Sequence, residues 1–398
     1  MAHIARHLGD RLLADAGQMP VVTLTGPRQS GKTTLVRRTF PDHNYATLED
    51  PEDRAEALAD PRGFLNRFKG PLILDEAQHA PDLFSYIQVL VDEQDRPGRF
   101  VLTGSQNFLL MRSVSQSLAG RAAIHHLLPL SLDELLGRPA RAMADLGRPL
   151  DAGPNTKDLF DVLHTGFYPR IHDKGLAAQD WLRSYHQSYL QRDVRSVLNV
   201  GDLEAFTRFV SLCAGRAGGL LNLSAMAGDC GVAQPTARRW LSVLEASFIV
   251  TLLRPWHRNF SKRLVKAPKL HFIDTGLLCY LLRIRTSEDL RLHSSRGAVF
   301  ESFVVSELTK RALNAGRDPD LYFWRDSRGR EIDVLVDLGP QQILVEAKSG
   351  QTVGADFFND IKYWRTISGL DETRGVMVYG GERHERRQEG EVAAWWRL

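Results

Sequence analysis

Cysteine is scarce: Cys213, Cys230 and Cys279 are spread through 398 residues, too few and too scattered for a disulfide framework or a metal-binding cysteine cluster. They are expected as buried, reduced thiols. No window reaches the roughly 20 uncharged apolar residues of a membrane span. The opening stretch, MAHIARHLGDRLLADAG, mixes acids and bases around no long apolar centre, so it does not read as a signal peptide. Internal repeats and low-complexity tracts are missing too. The net charge of +3 is too small to imply nucleic acid by itself, so basic character must be judged locally. What remains is an ordinary globular balance, 43% hydrophobic and 25% charged, at a length suggesting two or three domains. The expectation is a cytoplasmic globular enzyme without a membrane segment.

LTGPRQSGKTTLVRR, from Leu24 to Arg38, follows the apolar run Pro20 to Thr23. Gly26, the four residues Pro27, Arg28, Gln29 and Ser30, then Gly31, Lys32 and Thr33 fit a phosphate-binding loop, with Thr34 next in line. Glycines let successive amides turn inward around a phosphate, and the following helix adds its positive end. Lys32 would reach the β- and γ-phosphates of ATP, and the Thr33 hydroxyl would ligate Mg2+. The same string can arise by chance in a glycine-rich turn, but here it lies between a strand pattern and a helix pattern, in the required order.

GPLILDEAQ, from Gly70 to Gln78, supplies a second half: an apolar strand whose carboxyl tip carries Asp75 and Glu76. Asp75 would hold the magnesium and Glu76 would polarise the attacking water. The alternative is a solvated acidic turn. A third strand, RFVLTGSQN, ends in Ser105, Gln106 and Asn107, which would sense the γ-phosphate or form a plain turn. Residues 1–140 thus alternate strand and helix patterns and read as a parallel sheet covered on both faces.

A seam from Leu136 to Asp158 leads to helical patterns in LFDVLHTGFYPR and DWLRSYHQSYLQRDVRSVLNV. Next, a short helix from Ser224 to Ala227, a glycine-containing turn, a helix from Gln234 to Glu245 bearing Arg238 and Arg239, and the strand SFIVTLL fit a helix-turn-helix with a wing. Arg254, His257, Arg258, Lys262, Arg263, Lys266 and Lys269 then surround Trp256 and Phe260. Basic residues interleaved with aromatics suit a DNA backbone. The competing reading is an inter-domain or inter-subunit module.

GREIDVLVDLGPQQILVEAKSG reads as two strands joined by Gly339 and Pro340. A two-residue loop sets Leu338 opposite Gln341, Asp333 opposite Glu346 and Glu331 opposite Lys348. Opposed carboxylates repel unless a cation lies between them. Upstream, Glu301 shares a helix stripe with Val304, Val305, Leu308 and Ala312 and needs a partner there. Glu301, Asp333, Glu346 and Lys348 therefore suggest a divalent-metal site for phosphodiester cleavage. A plain hairpin pairing Lys348 with Glu331 is the competing reading.

Taken with LEDPEDRAEALADPRGFL, LTGSQ, LAGRAAIHHLLPLSLDEL, YLQRDVR, HRNFSKRLVKAPKLHFIDTGLL and GAVFESFVVSEL, these motifs resemble bacterial and archaeal ATPases of the AAA+ class. Such ATPases carry a C-terminal region long catalogued as a domain of unknown function. The resemblance covers nearly the whole chain. It implies an α/β chain with an AAA+ P-loop core (1–140), a helical and winged-helix region (141–284) and a restriction-endonuclease-like domain (285–398). The nuclease pattern of Asp, then Glu-X-Lys, is matched by Asp333, Glu346 and Lys348, with Glu301 at the helical acidic position. SLAGR places Arg121 where such ATPases carry an arginine finger or sensor, which implies a homo-oligomeric ring or arc, a hexamer being one form. The expected function is ATP-driven binding, remodelling or processing of DNA. An ATP-gated regulatory or protein-remodelling scaffold with an inactive nuclease fold is the alternative.

Overall fold

The computed structural model describes residues 4–105, 107–149, 157–189, 202–256, 266–354, 356–370 and 373–398. It divides into two compact units, one formed by Met1–Ala140 with Ala246–Phe248 and Leu313–Arg317, the other by Arg141–Glu245, Ile249–Ala312 and Asp318–Leu398.

In the first unit, β1 (Val21–Thr25), β2 (Asn44–Thr47), β3 (Leu72–Asp75), β4 (Phe100–Gly104) and β5 (Ala122–His126) form a parallel sheet in the order β2-β3-β4-β1-β5. Its inner strands read as unbroken apolar runs because both faces are covered. Val21, Leu72, Leu74, Phe100 and Leu102 face Phe84, Ile87, Val91 and Val114 on one side. Val22, Leu24, Ile73 and Val101 face Leu8, Leu12, Leu35 and Val36 on the other. The alternation along each strand has the period of two that a pleated sheet imposes. The order brings the carboxyl ends of β1, β3 and β4 to one edge, where open α/β sheets bind ligands.

In the second unit, β6 (Val250–Pro255), β7 (Lys269–Phe272), β8 (Leu321–Arg325), β9 (Glu331–Asp337), β10 (Gln342–Lys348), β11 (Arg374–Tyr379), β12 (Glu385–Arg386) and β13 (Glu391–Ala394) form one sheet, ordered β12-β13-β11-β10-β9-β8-β6-β7. The helix Arg296–Asn314 precedes an antiparallel meander β8-β9-β10, and the helix Asn359–Ser368 carries the chain across to β11, parallel to β10. Val334, Leu335, Val336, Ile343, Leu344 and Val345 are all buried, as expected of strands covered on both faces.

The helix-turn-helix pattern corresponds to Leu223–Cys230 and Gln234–Ala246. Asn222 caps the first helix by accepting from the Ala225 amide at 3.0 Å, and Gly231 ends it in the left-handed region at φ 71°. Trp240 lies edge-on to Phe206 and Phe209 of the neighbouring helix Leu203–Gly215. The strand expected after these helices is β6, and it has the antiparallel partner, β7, that a wing requires. β6 also pairs in parallel with β8 through Arg254 and Pro255, so it belongs to the large sheet, with Val250 and Leu253 buried. The helix expected over LFDVLHTGFYPR is broken into Leu159–Thr165 and Pro169–Lys174. Gly166 turns there at φ 76°, where a Cβ would lie 2.6 Å from Asp274 Oδ1.

Candidate functional site

The first site forms at the carboxyl edge of the parallel sheet. Gly26 passes so near the Leu127 carbonyl that a Cβ would lie 2.1 Å from its oxygen, so no other residue fits. Pro27 and Ser30 are buried within the loop, Arg28 is partly exposed, and Gln29 takes a left-handed turn at φ 63°. Gly31, at φ 94°, caps the helix Lys32–Thr39. Thr34, on its first turn, is exposed. Lys32 Nζ donates to the carbonyls of Gly26 and Pro27, each at 3.0 Å, and so lies over the loop that would receive a phosphate.

Asp75 is buried, and three hydroxyls point at it. Thr33 Oγ1 and Tyr45 Oη donate to Oδ2 at 2.7 and 2.9 Å, and Thr103 donates to Oδ1. Burial, then the Asp75 charge, push the Tyr45 phenol up to about 12, so it stays a donor. Glu76 sits in the left-handed region at φ 54° and is gripped by Ser105 Oγ at 2.7 and 2.8 Å and by Gln78 Nε2 at 2.5 Å. Burial alone would raise its pKa, but the Lys32 ammonium and these hydrogen bonds outweigh it and hold the carboxylate below its usual range. Of the expected γ-phosphate sensors, Ser105 is thus in contact with Glu76, while Gln106 lies outside the described residues.

Sequence reasoning missed Arg6 and Glu134. Arg6 donates to the carbonyls of Ser30 and Leu128 at 2.6 and 2.7 Å, and its Nε lies 3.1 Å from Glu134 Oε1, both side chains being buried. The pair struts the phosphate loop from behind. A capping box at Ser131 and Glu134 was the available signal. Arg121 stands at the other end of the sheet. Its neighbour Ala122 pairs with Val21, so roughly 13 Å of strand separates it from the loop after Thr25. It forms a two-pronged ion pair with Asp92 at 2.5 and 3.0 Å.

The second site lies in the second unit. The hairpin register is the one the two-residue loop predicts, with Leu338 donating to the Gln341 carbonyl and pairs running to Val345 opposite Val334. Beyond that point Asp333 Oδ2 accepts from the Ala347 amide at 2.9 Å. Lys348 does not pair with Glu331. It turns to Glu346 at 3.3 Å and Asp333 at 3.8 Å.

Glu331 instead joins Glu301 around Lys269. Lys269 Nζ lies 2.7 Å from Glu301 and in closer contact with Glu331, whose other oxygen takes Arg325 at 3.1 Å. Placing Lys269 with the DNA-facing basic residues is therefore overturned: it is 2% exposed, pointing into an acidic cluster. Burial disfavours its charge, yet Glu301, Asp333 and Glu331 together raise its pKa.

Oxygens of Glu301, Glu331 and Asp333 all lie within 4.8 Å of one another. Burial, then the Asp333 charge, raise Glu301 to about 7 against the pull of Lys269, and they push Glu346 well above the usual carboxyl range. Glu346 Oε1 is buried without a hydrogen-bond partner. An all-oxygen set with an orphaned carboxylate oxygen fits a hard divalent cation.

Arg238 and Arg239 are exposed on the helix Gln234–Ala246, and Arg254 and Lys266 are exposed as well. Arg258, Lys262 and Arg263 lie outside the described residues.

Residues 18–136 match an AAA domain, residues 156–288 a domain of unknown function (DUF8612), and residues 296–398 another (DUF4143). Uncharacterized protein Rv2008c of Mycobacterium tuberculosis is 35% identical over 384 residues, covering 95% of this chain and 80% of that protein, and Uncharacterized protein Mb2031c of Mycobacterium bovis gives the same figures. The chain belongs to their family. Its AAA domain places it among P-loop ATPases that bind and hydrolyse ATP. Among solved structures, the Walker-type ATPase PABY2304 of Pyrococcus abyssi is 13% identical, covering 69% of this chain and 94% of that one at a TM-score of 0.43. A RuvB Holliday junction branch migration motor of Thermotoga maritima is 18% identical, covering 62% and 87% at a TM-score of 0.30. At such scores neither likeness bears on what this chain acts upon. No helix among the described residues is long and apolar enough to cross a membrane.

Proposed function

We propose that this ATPase acts on DNA, coupling ATP hydrolysis in the first unit to binding and metal-dependent processing of DNA by the second. In the first unit Lys32 meets the β- and γ-phosphates, and the hydroxyl of Thr33 and the carboxylate of Asp75, hydrogen-bonded to each other at 2.7 Å, offer the hard oxygens magnesium takes. Glu76 would accept a proton from water. Arg121 would act on the site of a neighbouring copy in a homo-oligomer, because its own site is at the opposite edge of the sheet.

In the second unit the observation that carries the reading is the convergence of Asp333, Glu346 and Lys348, with Glu301 nearby, as the metal site of a nuclease-like domain. A divalent cation there would supply Lewis acidity toward a phosphodiester. Asp333 and Glu346 would hold it, and Lys348 would stabilise charge developing on the phosphate. Arg238, Arg239, Arg254 and Lys266, with Arg258, Lys262 and Arg263, would bind the DNA backbone.

A second reading, an ATP-gated regulatory or remodelling scaffold with an inactive nuclease fold, has one observation in its favour: Lys269 already fills the acidic cluster between Glu301 and Glu331. ATPase rates with and without single-stranded, duplex and branched DNA, with DNA length followed in magnesium and manganese, separate the two. Stimulation with shortening of DNA supports the first. Rates indifferent to every DNA and no cleavage support the second.

A further inference from the structure

We propose that Lys269 is a resident cation that restricts the acidic cluster of the second unit to a single divalent metal ion, held on the Asp333 and Glu346 side. This rests on the reading of Asp333 and Glu346 as metal ligands. Four carboxylates line the cluster, and they divide into two halves. Glu301 and Glu331 share the Lys269 ammonium, at 2.7 Å from Glu301 and nearer still to Glu331. Asp333 and Glu346 share Lys348, which stands further off at 3.8 and 3.3 Å and is partly exposed. The first half has its cation in contact. The second has a looser one that can move toward solvent.

Lys269 cannot yield as Lys348 can. Its backbone is fixed in β7, with Lys269 paired to Leu253 on one side and bridged to Leu220 on the other. Its side chain is 2% exposed and its ammonium lies 5.6 Å from the Phe323 ring centre. Moving it out would strand a buried charge or break the sheet edge. His271, next on the same face of β7, is fully buried, with Nε2 3.8 Å from Glu301 and without a hydrogen-bond partner. Its neutral ring closes that half without adding charge.

The charge balance agrees. Four carboxylates against the Lys269 and Lys348 ammonium groups and the Arg325 guanidinium on Glu331 leave at most one negative charge, which one divalent cation more than offsets. A second would add further uncompensated positive charge in a buried place, which is unfavourable. The open coordination points the same way: the buried oxygen lacking a partner, Oε1, belongs to Glu346.

The test is Mn2+ stoichiometry on the full chain without nucleotide, by titration calorimetry, with anomalous scattering from manganese-soaked crystals to locate the ion. One ion per chain is expected, lost in Asp333→Asn and positioned between Asp333 and Glu346. Lys269→Met, which keeps length and removes charge, is expected to raise the count to two. If that variant fails to fold, the parent count and the ion's position decide. Two ions in the parent cluster, one ion seated between Glu301 and Glu331 with Lys269 displaced, or a folded Lys269→Met that still takes one, would each overturn the role of Lys269. No bound manganese at all would remove the metal-site reading and this inference with it.

Discussion

Ser105 Oγ lies within 2.8 Å of both carboxylate oxygens of Glu76, so the acid after β3 is tied to the end of the neighbouring strand β4. The Ser105 amide adds a third contact at 3.2 Å. Together with the Lys32 ammonium, these contacts hold the carboxylate below its usual range against the effect of burial.

Glu76→Gln should therefore retain ATP binding, because Lys32, Thr33 and Asp75 are untouched, while turnover falls by at least about 100-fold. Lys32→Ala should abolish turnover through loss of the phosphate-binding cation. Filter binding of labelled ATP beside phosphate release reads both. Near-normal turnover in both variants would sink the assignment of the site.

The Arg6 and Glu134 pair makes a second prediction. Either Arg6→Met or Glu134→Gln leaves a buried charge unpaired and should cost about 3–5 kcal/mol of stability. Arg6→Met should also weaken nucleotide binding, because Ser30 and the loop lose their strut. The double variant should recover part of the stability loss but not the nucleotide affinity. Denaturant melts and ATP titrations measure the two quantities, and additive stability losses would show the residues to be uncoupled.

Much of this was legible in the sequence because it is local. The phosphate loop needs only glycine spacing, and the register of β9 against β10 follows from a two-residue loop and a period of two. Lys269 was not legible. Three residues beyond Lys266 in a basic stretch, it looked like part of a DNA-facing surface, yet pairing of β7 with β6 turns it toward Glu301 and Glu331. Sequence distance says nothing of which face a strand residue takes until its neighbour strand is known. The link from β6 to the large sheet was hidden for the same reason: SFIVTLL has the pattern of any half-buried strand, its antiparallel pairing with β7 is what a wing implies, and its parallel contact with β8 depends on residues far along the chain.

His271 supplies a pH dependence. Burial, helped by the Lys269 charge, lowers its pKa to about 3, so the folded protein keeps it neutral where the unfolded chain protonates it. Its contribution to stability is complete above about pH 6.5 and is lost as pH falls toward 3, with a slope of up to about 1.4 kcal/mol per unit. Glu301, raised to about 7, works with the opposite sign, so the difference between parent and variant is what is read. His271→Gln should show a shallower acid loss in chelator-treated samples. Parallel pH profiles would mean the imidazole titrates in the folded protein.

For DNA, Arg238→Ala with Arg239→Ala should weaken binding to all sequences alike and flatten the slope of log affinity against log salt by roughly one unit per lost phosphate contact. Arg258→Ala, Lys262→Ala and Lys266→Ala together should act in the same direction. Fluorescence anisotropy across a salt series measures it. Unchanged affinity in both sets would assign this region to contacts between domains or subunits.

The last prediction concerns Asp333, which has two opposing roles. Its charge raises both Glu301 and Glu346, so without metal it is a source of repulsion. Its Oδ2 also accepts from the Ala347 amide at 2.9 Å, a contact that closes the end of the hairpin. Asp333→Asn removes the charge and keeps an oxygen for that amide, whereas Asp333→Ala removes both and orphans the donor. Metal-free stability near pH 7 should therefore be equal or slightly higher in Asp333→Asn and lower by about 1–3 kcal/mol in Asp333→Ala. Both should lose manganese affinity and any metal-dependent nicking of supercoiled DNA. Thermal melts with and without manganese read the two effects separately: the parent should gain stability from the metal and neither variant should. If Asp333→Asn still gains stability from manganese, the ligand set lies elsewhere. If it instead melts as low as Asp333→Ala without metal, the carboxylate charge holds the hairpin rather than straining it.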